Sequence, residues 1–250
     1  MAWRRACRGL DRVQMDGNEQ AAPATPAAPG GELDALAVTR IVVRPMASPL
    51  PIGFFATAIA TSMVACLELN IFKAADHQAV AYVMLSAFVL QIIVAIAALA
   101  ARDTLVASLM ATFAGAWLVD GLISLTSPLG SQHVLAAYFI IFSLFLVMMA
   151  VAARFKRAIF IVLVLSVPHF LFFGISSLTG TTWQADMAGV FGFAVAIAAL
   201  YTAFALLLED AHDTSKLPIG RSGAALTALH GSLADQLEGI ENSAGVRRSL

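Results

Sequence analysis

Ala79 to Ala101 reads AVAYVMLSAFVLQIIVAIAALAA, a run with no charged residue and one amide, Gln91. At about 1.5 Å of rise per residue, a helix of this length crosses a hydrocarbon core of about 30 Å. Similar apolar runs lie on either side of it, at Pro51–Leu69, Leu105–Leu125, Val134–Ala153, Ala158–Leu178 and Ala188–Leu208. The bilayer core has no water to satisfy peptide groups, so each run is expected to be a helix. The connections are short, which makes consecutive helices antiparallel neighbours. The expected fold class is all-α, a six-transmembrane-helix bundle.

Composition agrees with this. Of the 250 residues, 60% are hydrophobic and only 12% charged. A water-soluble domain of this size could not hide so much apolar surface. Soluble enzymes and nucleic-acid binders are thereby excluded. Cys7 and Cys66 stand far apart in unlike surroundings and provide neither a disulfide framework nor a metal set. No cofactor or metal is expected.

The basic residues give an orientation. Arg40 and Arg44 precede the first run, Arg102 lies in the second connection, and Arg154, Lys156 and Arg157 lie in the fourth. The first connection has only Lys73, and the third and fifth have no Lys or Arg. The positive-inside rule therefore places both termini in the cytoplasm. The cell (inner) membrane is the expected location of a multi-pass protein.

Three regions follow. Residues 1–45 are rich in Ala and Pro around AAPATPAAPGG (Ala21–Gly31) and read as a disordered cytoplasmic tail. Arg4, Arg5, Arg8 and Arg12 precede no hydrophobic run, so no cleaved signal peptide is expected. Residues 46–220 form the transmembrane domain. Residues 221–250 form a cytoplasmic tail in which Leu226, Leu229, Leu233, Leu237 and Ile240 recur at helical spacing, against Gly231 and Gly239. This tail is either a short amphipathic helix or a frayed end.

The first span opens with SPLPIGF, Ser48 to Phe54. Pro49 and Pro51 each disfavour helix in the residue before them, so the chain is expected to arrive extended and turn helical at Pro51. The N–H groups of Ile52, Gly53 and Phe54 would then lack intrahelical partners and attract a carboxylate. Alternatively, Pro–x–Pro merely starts a membrane helix. Three ionisable residues lie in or near the spans. Asp120 in the third should face protein or water, because a carboxylate in hydrocarbon costs about 2.5–3.5 kcal/mol; it could carry a proton or sit in the interfacial zone. His169, directly after the helix-interrupting Pro168 in the fifth, is either a proton relay or a buried histidine bonded to a backbone carbonyl. Glu68 is either an interfacial carboxylate or part of a vestibule.

Other side chains suggest packing. Ala188, Gly192 and Ala196 stand four apart, as do Ala111 and Gly115, so both sets are expected to let helices approach closely. Gln91 shares a face with Ala87 and Ala95, so its amide is expected to bond across a helix interface or line a pore. Phe139, Phe142, Phe145, Phe170, Phe172 and Phe173 read as lipid contact or bundle core. Ser166 and His169 stand three apart, the spacing of a nucleophile and base, but no HExxH pair or Gly-x-Ser-x-Gly elbow accompanies them.

SPLPIGF resembles the NPAPLGL signature at the same place in the acetate uptake transporter family, which includes the bacterial succinate–acetate permease and its fungal relatives. Ala199-Leu200-Tyr201, followed by Leu217-Pro218-Ile219-Gly220, is similar to the end of that family's last helix and its terminal LPIG. Gln91 and Trp117 also fall where the family has the same residues. The likeness covers Ser48 to Gly220. It implies a six-helix subunit assembled as a homo-oligomer, commonly a hexamer, with a pathway through each protomer. It also implies transport of acetate and other small monocarboxylates, in some members succinate, usually with protons. The family's constriction positions correspond to Thr57, Phe113 and Val167 here, where Phe, Tyr and Leu would be expected. The partners so implied are a small carboxylate, protons and the lipid bilayer. The remaining alternatives are a transport-inactive sensor or assembly protein on the same fold, and an intramembrane hydrolase.

Overall fold

The computed structural model describes residues 48–126, 131–212 and 217–220. The tails expected at 1–45 and 221–250, with Cys7, lie outside the described residues, so their expected character stays untested. Six long helices follow one another: α1 Leu50–Glu68, α2 His77–Ala100, α3 Thr104–Thr126, α4 Ser131–Ala153, α5 Arg157–Thr179 and α6 Thr182–His212. All six are long and apolar enough to span a membrane, and the protein is a multi-pass membrane protein. Five of the expected spans agree with the helices to within about three residues.

The sixth helix starts six residues before the expected Ala188 and ends four beyond Leu208. Apolar content marks the part that lipid covers, whereas the helix continues through Trp183, Gln184 and Asp186 into the polar zone. Its start is set by Gly180, whose φ of +65° ends α5 in the left-handed conformation, with its N–H bonded to Ser176 O at 2.8 Å. Asp103 starts α3 in a complementary way, its Oδ1 accepting the Val106 N–H at 3.1 Å. Helix α5 runs on through Pro168 without a break in its assignment.

Each helix packs on its sequence neighbours, and α6 packs along α1, so the six close into a ring. Backbones come close where side chains are small. A Cβ added to Gly189 would lie 2.5 Å from Leu69 Cγ, and one on Gly192 would lie 3.0 Å from Ala65 Cβ. The expected small-residue face Ala188–Gly192–Ala196 thus forms the α1–α6 seam. The Ala111–Gly115 pair does not act in this way, because Ala111 is exposed and Gly115 has only Tyr138 Oη nearby. Gly121 instead lies against Leu85 and the Ala81 carbonyl, bringing α3 onto α2. Helices α3 and α4 share fewer close approaches than the other neighbours, with aromatic rings filling the space between them.

The LPIG segment has a structural role that its sequence position did not reveal. After α6, residues 217–220 return to the start of α5, where Ile219 O accepts the Ala158 N–H (3.0 Å) and Gly220 O accepts the Arg157 N–H (3.2 Å). These are first-turn amides with no partner inside the helix. Tyr201 Oη donates to Pro218 O at 3.1 Å and holds the segment from α6. Gly220 has φ +68°, and a Cβ there would lie 2.7 Å from Arg157 Cβ.

Two glycine substitutions separate backbone strain from contact. Gly180→Ala meets nothing within 4 Å and should cost only the left-handed penalty of about 1–2 kcal/mol. Gly220→Ala adds a collision with Arg157 and should lower the thermal midpoint in detergent further. Equal losses for the two variants would contradict the LPIG packing.

Candidate functional site

Helix α1 begins one residue earlier than expected. Leu50 is its first residue and Pro49, with φ −77° and ψ −11°, its cap. The arrival is therefore not extended, and Ser48 supplies no side-chain cap. With the cap at Pro49, the carbonyls of Pro49 and Leu50 are in register to accept from Gly53 and Phe54. Of the three amides expected to be free, only Ile52 keeps that character. Gly53 and Phe54 are buried inside the bundle, with Met110 and Val94 against Gly53. The opening motif is consequently a packing motif more than an anion nest.

One turn further on, Thr57 and Gln91 join α1 to α2. Gln91 Nε2 donates to Thr57 Oγ1 at 2.8 Å, and that hydroxyl donates to Gly53 O at 3.0 Å. Both residues are buried, and Gln91 Oε1 has no hydrogen-bond partner. The Gln91 amide thus packs directly on the Thr57 hydroxyl, at the position where the family resemblance would place a Phe.

At the opposite end of the bundle, a cavity of about 320 Å³ opens among five helices. Glu68 of α1, His77 of α2, Ser124 of α3, Gln132 of α4 and Ser177 of α5 line it, all near helix ends that the antiparallel order brings together. Asp120 lies deeper, with Met84, Leu135 and Phe173. It is only 3% exposed and makes no side-chain hydrogen bond to a described residue. Asp120 and Asp186 both lie within electrostatic reach of Glu68. Glu68 therefore lines this cavity with other carboxylates nearby. Asp120 faces this cavity rather than lipid, as the cost of a carboxylate in hydrocarbon requires.

Below the cavity, aromatic rings close the interior. Phe113 of α3 meets Phe142 of α4 edge-on at 5.3 Å and Phe170 of α5 at 5.9 Å. Phe142 meets Phe170 at 4.8 Å, while Phe139 stacks on Phe170 at 5.4 Å. Trp117, one turn from Phe113 and three residues before Asp120, reaches Phe170 at 6.0 Å. Each offset or edge-on pair contributes about 0.5–1.5 kcal/mol beyond the area buried. Phe113 thus sits in a tight cluster of aromatic rings. Val167 is half-buried against the core, and Thr57 lies on the α1–α2 seam.

His169 Nδ1 lies 2.8 Å from Ala188 O. A carbonyl only accepts, so Nδ1 carries the hydrogen and, in the neutral ring, Nε2 is left as an acceptor. Nε2 is buried without a partner, and so is the Trp117 Nε1 donor. The serine–histidine pair does not form, because Ser166 Oγ donates to Val162 O at 2.8 Å. Among the described residues no cluster of His, Cys, Asp or Glu is arranged to hold a metal. Cys66 is a free, half-buried thiol.

The sequence profile of the GPR1/FUN34/yaaH family matches residues 29–222, more than three quarters of the chain. The chain belongs to the GPR1/FUN34/yaaH family. Among solved structures, a bacterial acetate channel, SatP, is similar in fold, with a TM-score of 0.64 and 19% identity over 70% of this chain and 99% of that one. Comparison with curated proteins returns no match. Membership accounts for the motifs at the two ends, which the structure places at opposite jobs: SPLPIGF opens α1, and LPIG caps α5.

Phe139, Phe142 and Phe170 of this GPR1/FUN34/yaaH member lie in the bundle core, one of the two places their sequence allowed. Their spacing, three apart on α4 and one turn apart across Val167 and Phe170 on α5, was the available signal for a shared interior face. Gly220 and Tyr201 were likewise readable only as part of a motif.

The Thr57–Gln91 bond predicts an asymmetry. Gln91→Leu removes a donor together with an unpartnered acceptor and leaves Thr57 bonded to Gly53. Thr57→Val removes the nearer acceptor of the Gln91 amide, leaving Nε2 only Gly53 O at 3.4 Å and Oε1 still unpartnered, and should cost about 1–3 kcal/mol. Thermal unfolding in detergent should rank Thr57→Val as the more damaging change, and the reverse order would reject the bond as drawn.

Proposed function

We propose that the chain is a membrane transporter or channel for small monocarboxylates, acetate foremost, and that it moves them with protons. The observation that carries this reading is a polar cavity among five helices that leads down to an aromatic plug inside the bundle. A small organic acid loses hydration on leaving the cavity, so the interior must replace it or the charge must be neutralised. Asp120, Glu68 and His169 are the groups placed to exchange the coupled proton. Phe113, with Phe142 and Phe170, forms the apolar step that a charged cargo crosses least readily. The family and the fold shared with an acetate channel support this assignment.

The same reading places both termini in the cytoplasm and the cavity on the outer face of the cell (inner) membrane, since Arg102, Arg154 and Lys156 lie at the other end. A homo-oligomer, hexameric as the family resemblance implies, would cover part of the apolar flank that includes Ile59, Ile96, Ile141 and Ile197, all exposed in the single chain. The rest meets lipid. The Ser166–Val162 bond gives an intramembrane hydrolase no support.

Two measurements test this. Purified protein in proteoliposomes should take up labelled acetate, faster with an imposed inward proton gradient, and failure to move any short monocarboxylate ends the proposal. In intact cells, a cysteine replacing Lys73 should label from outside and one replacing Arg102 only from within, in a background lacking Cys7 and Cys66. Labelling of both from the same side would reject the six-span orientation.

A further inference from the structure

We propose that the turn between α4 and α5 binds the headgroup of an anionic phospholipid, a site separate from the cavity and independent of any cargo. The turn is Arg154 to Lys156, set directly between two apolar spans, so it lies at the headgroup level of a bilayer. With Arg157, the first residue of α5, it places three cations within four positions. The chain has no Asp or Glu between Asp120 and Asp186, so α4, the turn and α5 supply no counter-charge. Other elements do not supply it either. Among the described residues, no carboxylate forms an ion pair with Arg154, Lys156 or Arg157. Both arginines are exposed.

The neighbours of these cations fit a lipid rather than a free anion. The Arg154 guanidinium lies over the Phe155 ring, 4.6 Å from its centroid. That ring is 46% exposed, and an apolar ring at the end of a span is better placed at the acyl boundary than in water. Val147 and Val151, one turn apart on α4, are also exposed and give an acyl chain an apolar track up to the turn. The Arg157 stem runs beside Gly220, where an added Cβ would lie 2.7 to 3.1 Å from its Cβ, Cγ and Cδ. The first amides of α5 take no part, because Arg157 and Ala158 already donate to Gly220 O and Ile219 O. Recognition therefore falls to the side chains. A planar guanidinium pairs its N–H groups with phosphate oxygens, and the attraction follows the net charge of the headgroup. A zwitterionic headgroup brings its own cation against these three.

Native mass spectrometry of the purified full chain tests this, with equimolar phosphatidylglycerol and phosphatidylcholine of identical acyl chains. Wild type should retain phosphatidylglycerol at least about fivefold more often, an arm that needs no variant. Arg154→Gln with Arg157→Gln, which leaves Lys156 to keep the connection basic, should bring the ratio to within about twofold of unity. Arg154→Gln alone, at an exposed position outside any helix, should lower it part of the way and carries this arm if the pair does not fold. Arg102→Asn removes a cation from the same end of the bundle and should keep the wild-type ratio. Inorganic phosphate should leave the bound lipid in place. Equal retention of the two lipids by wild type overturns the proposal, as does a wild-type ratio in the arginine variants. A loss in Arg102→Asn as large as in the pair also overturns it, because the attraction would then be a diffuse field of inside-positive charge. Displacement by inorganic phosphate would assign the turn to a free anion and overturns the lipid as its occupant.

Discussion

Lipid provides no hydrogen bonds, so every polar group in this chain's spans must find a partner in protein or face a cavity. Most do so locally. Thr61, Thr112, Ser143, Ser166 and Thr202 return their hydroxyls to carbonyls three or four residues back on their own helices. They are thereby nearly silent in the lipid-facing energetics. Among the described residues, Gln91, Trp117 and His169 each keep a buried polar atom without a partner inside the ring, and Asp120 faces the cavity.

The ring is held by different means on different sides. Along α1 and α6, glycine and alanine let backbones approach, with Gly189 against Leu69 and Gly192 against Ala65 and His169. In a bilayer, where burial against lipid gives apolar side chains little advantage, such close van der Waals packing is a principal source of helix association. Between α3 and α4 the contact is made by large rings instead. That difference leaves a cluster of rings rather than a close backbone seam beneath the cavity, beside α3, α4 and α5.

The LPIG segment shows how a short motif can act at a distance. It belongs by sequence to the end of α6, yet its carbonyls satisfy the first amides of α5. The order α5–α6 with antiparallel packing brings the two to one end of the bundle, and Gly220 is required because the left-handed turn leaves no room beside Arg157. The motif therefore ties helix ends together. Its likeness to the family signature did not disclose that purpose.

Span number, approximate helix bounds and family membership were readable in the order of residues, because uninterrupted apolar length and two end motifs are one-dimensional properties. The Gln91 cross-helix bond was also within reach, since a lone amide among alanines in a span needs a partner. Three-dimensional placement decided the rest. Which hydroxyl Gln91 would meet, that of Thr57, depended on packing, and Ser166 and His169, spaced as a pair, are each bonded elsewhere. The acidic cavity arises only where Glu68 and Asp120, from two helices, line one space, with Asp186 of a third within electrostatic reach of Glu68. Spacing along a chain fixes which face of a helix a residue occupies, but only packing settles what stands opposite that face. For a carboxylate or an imidazole, that neighbour determines its chemistry.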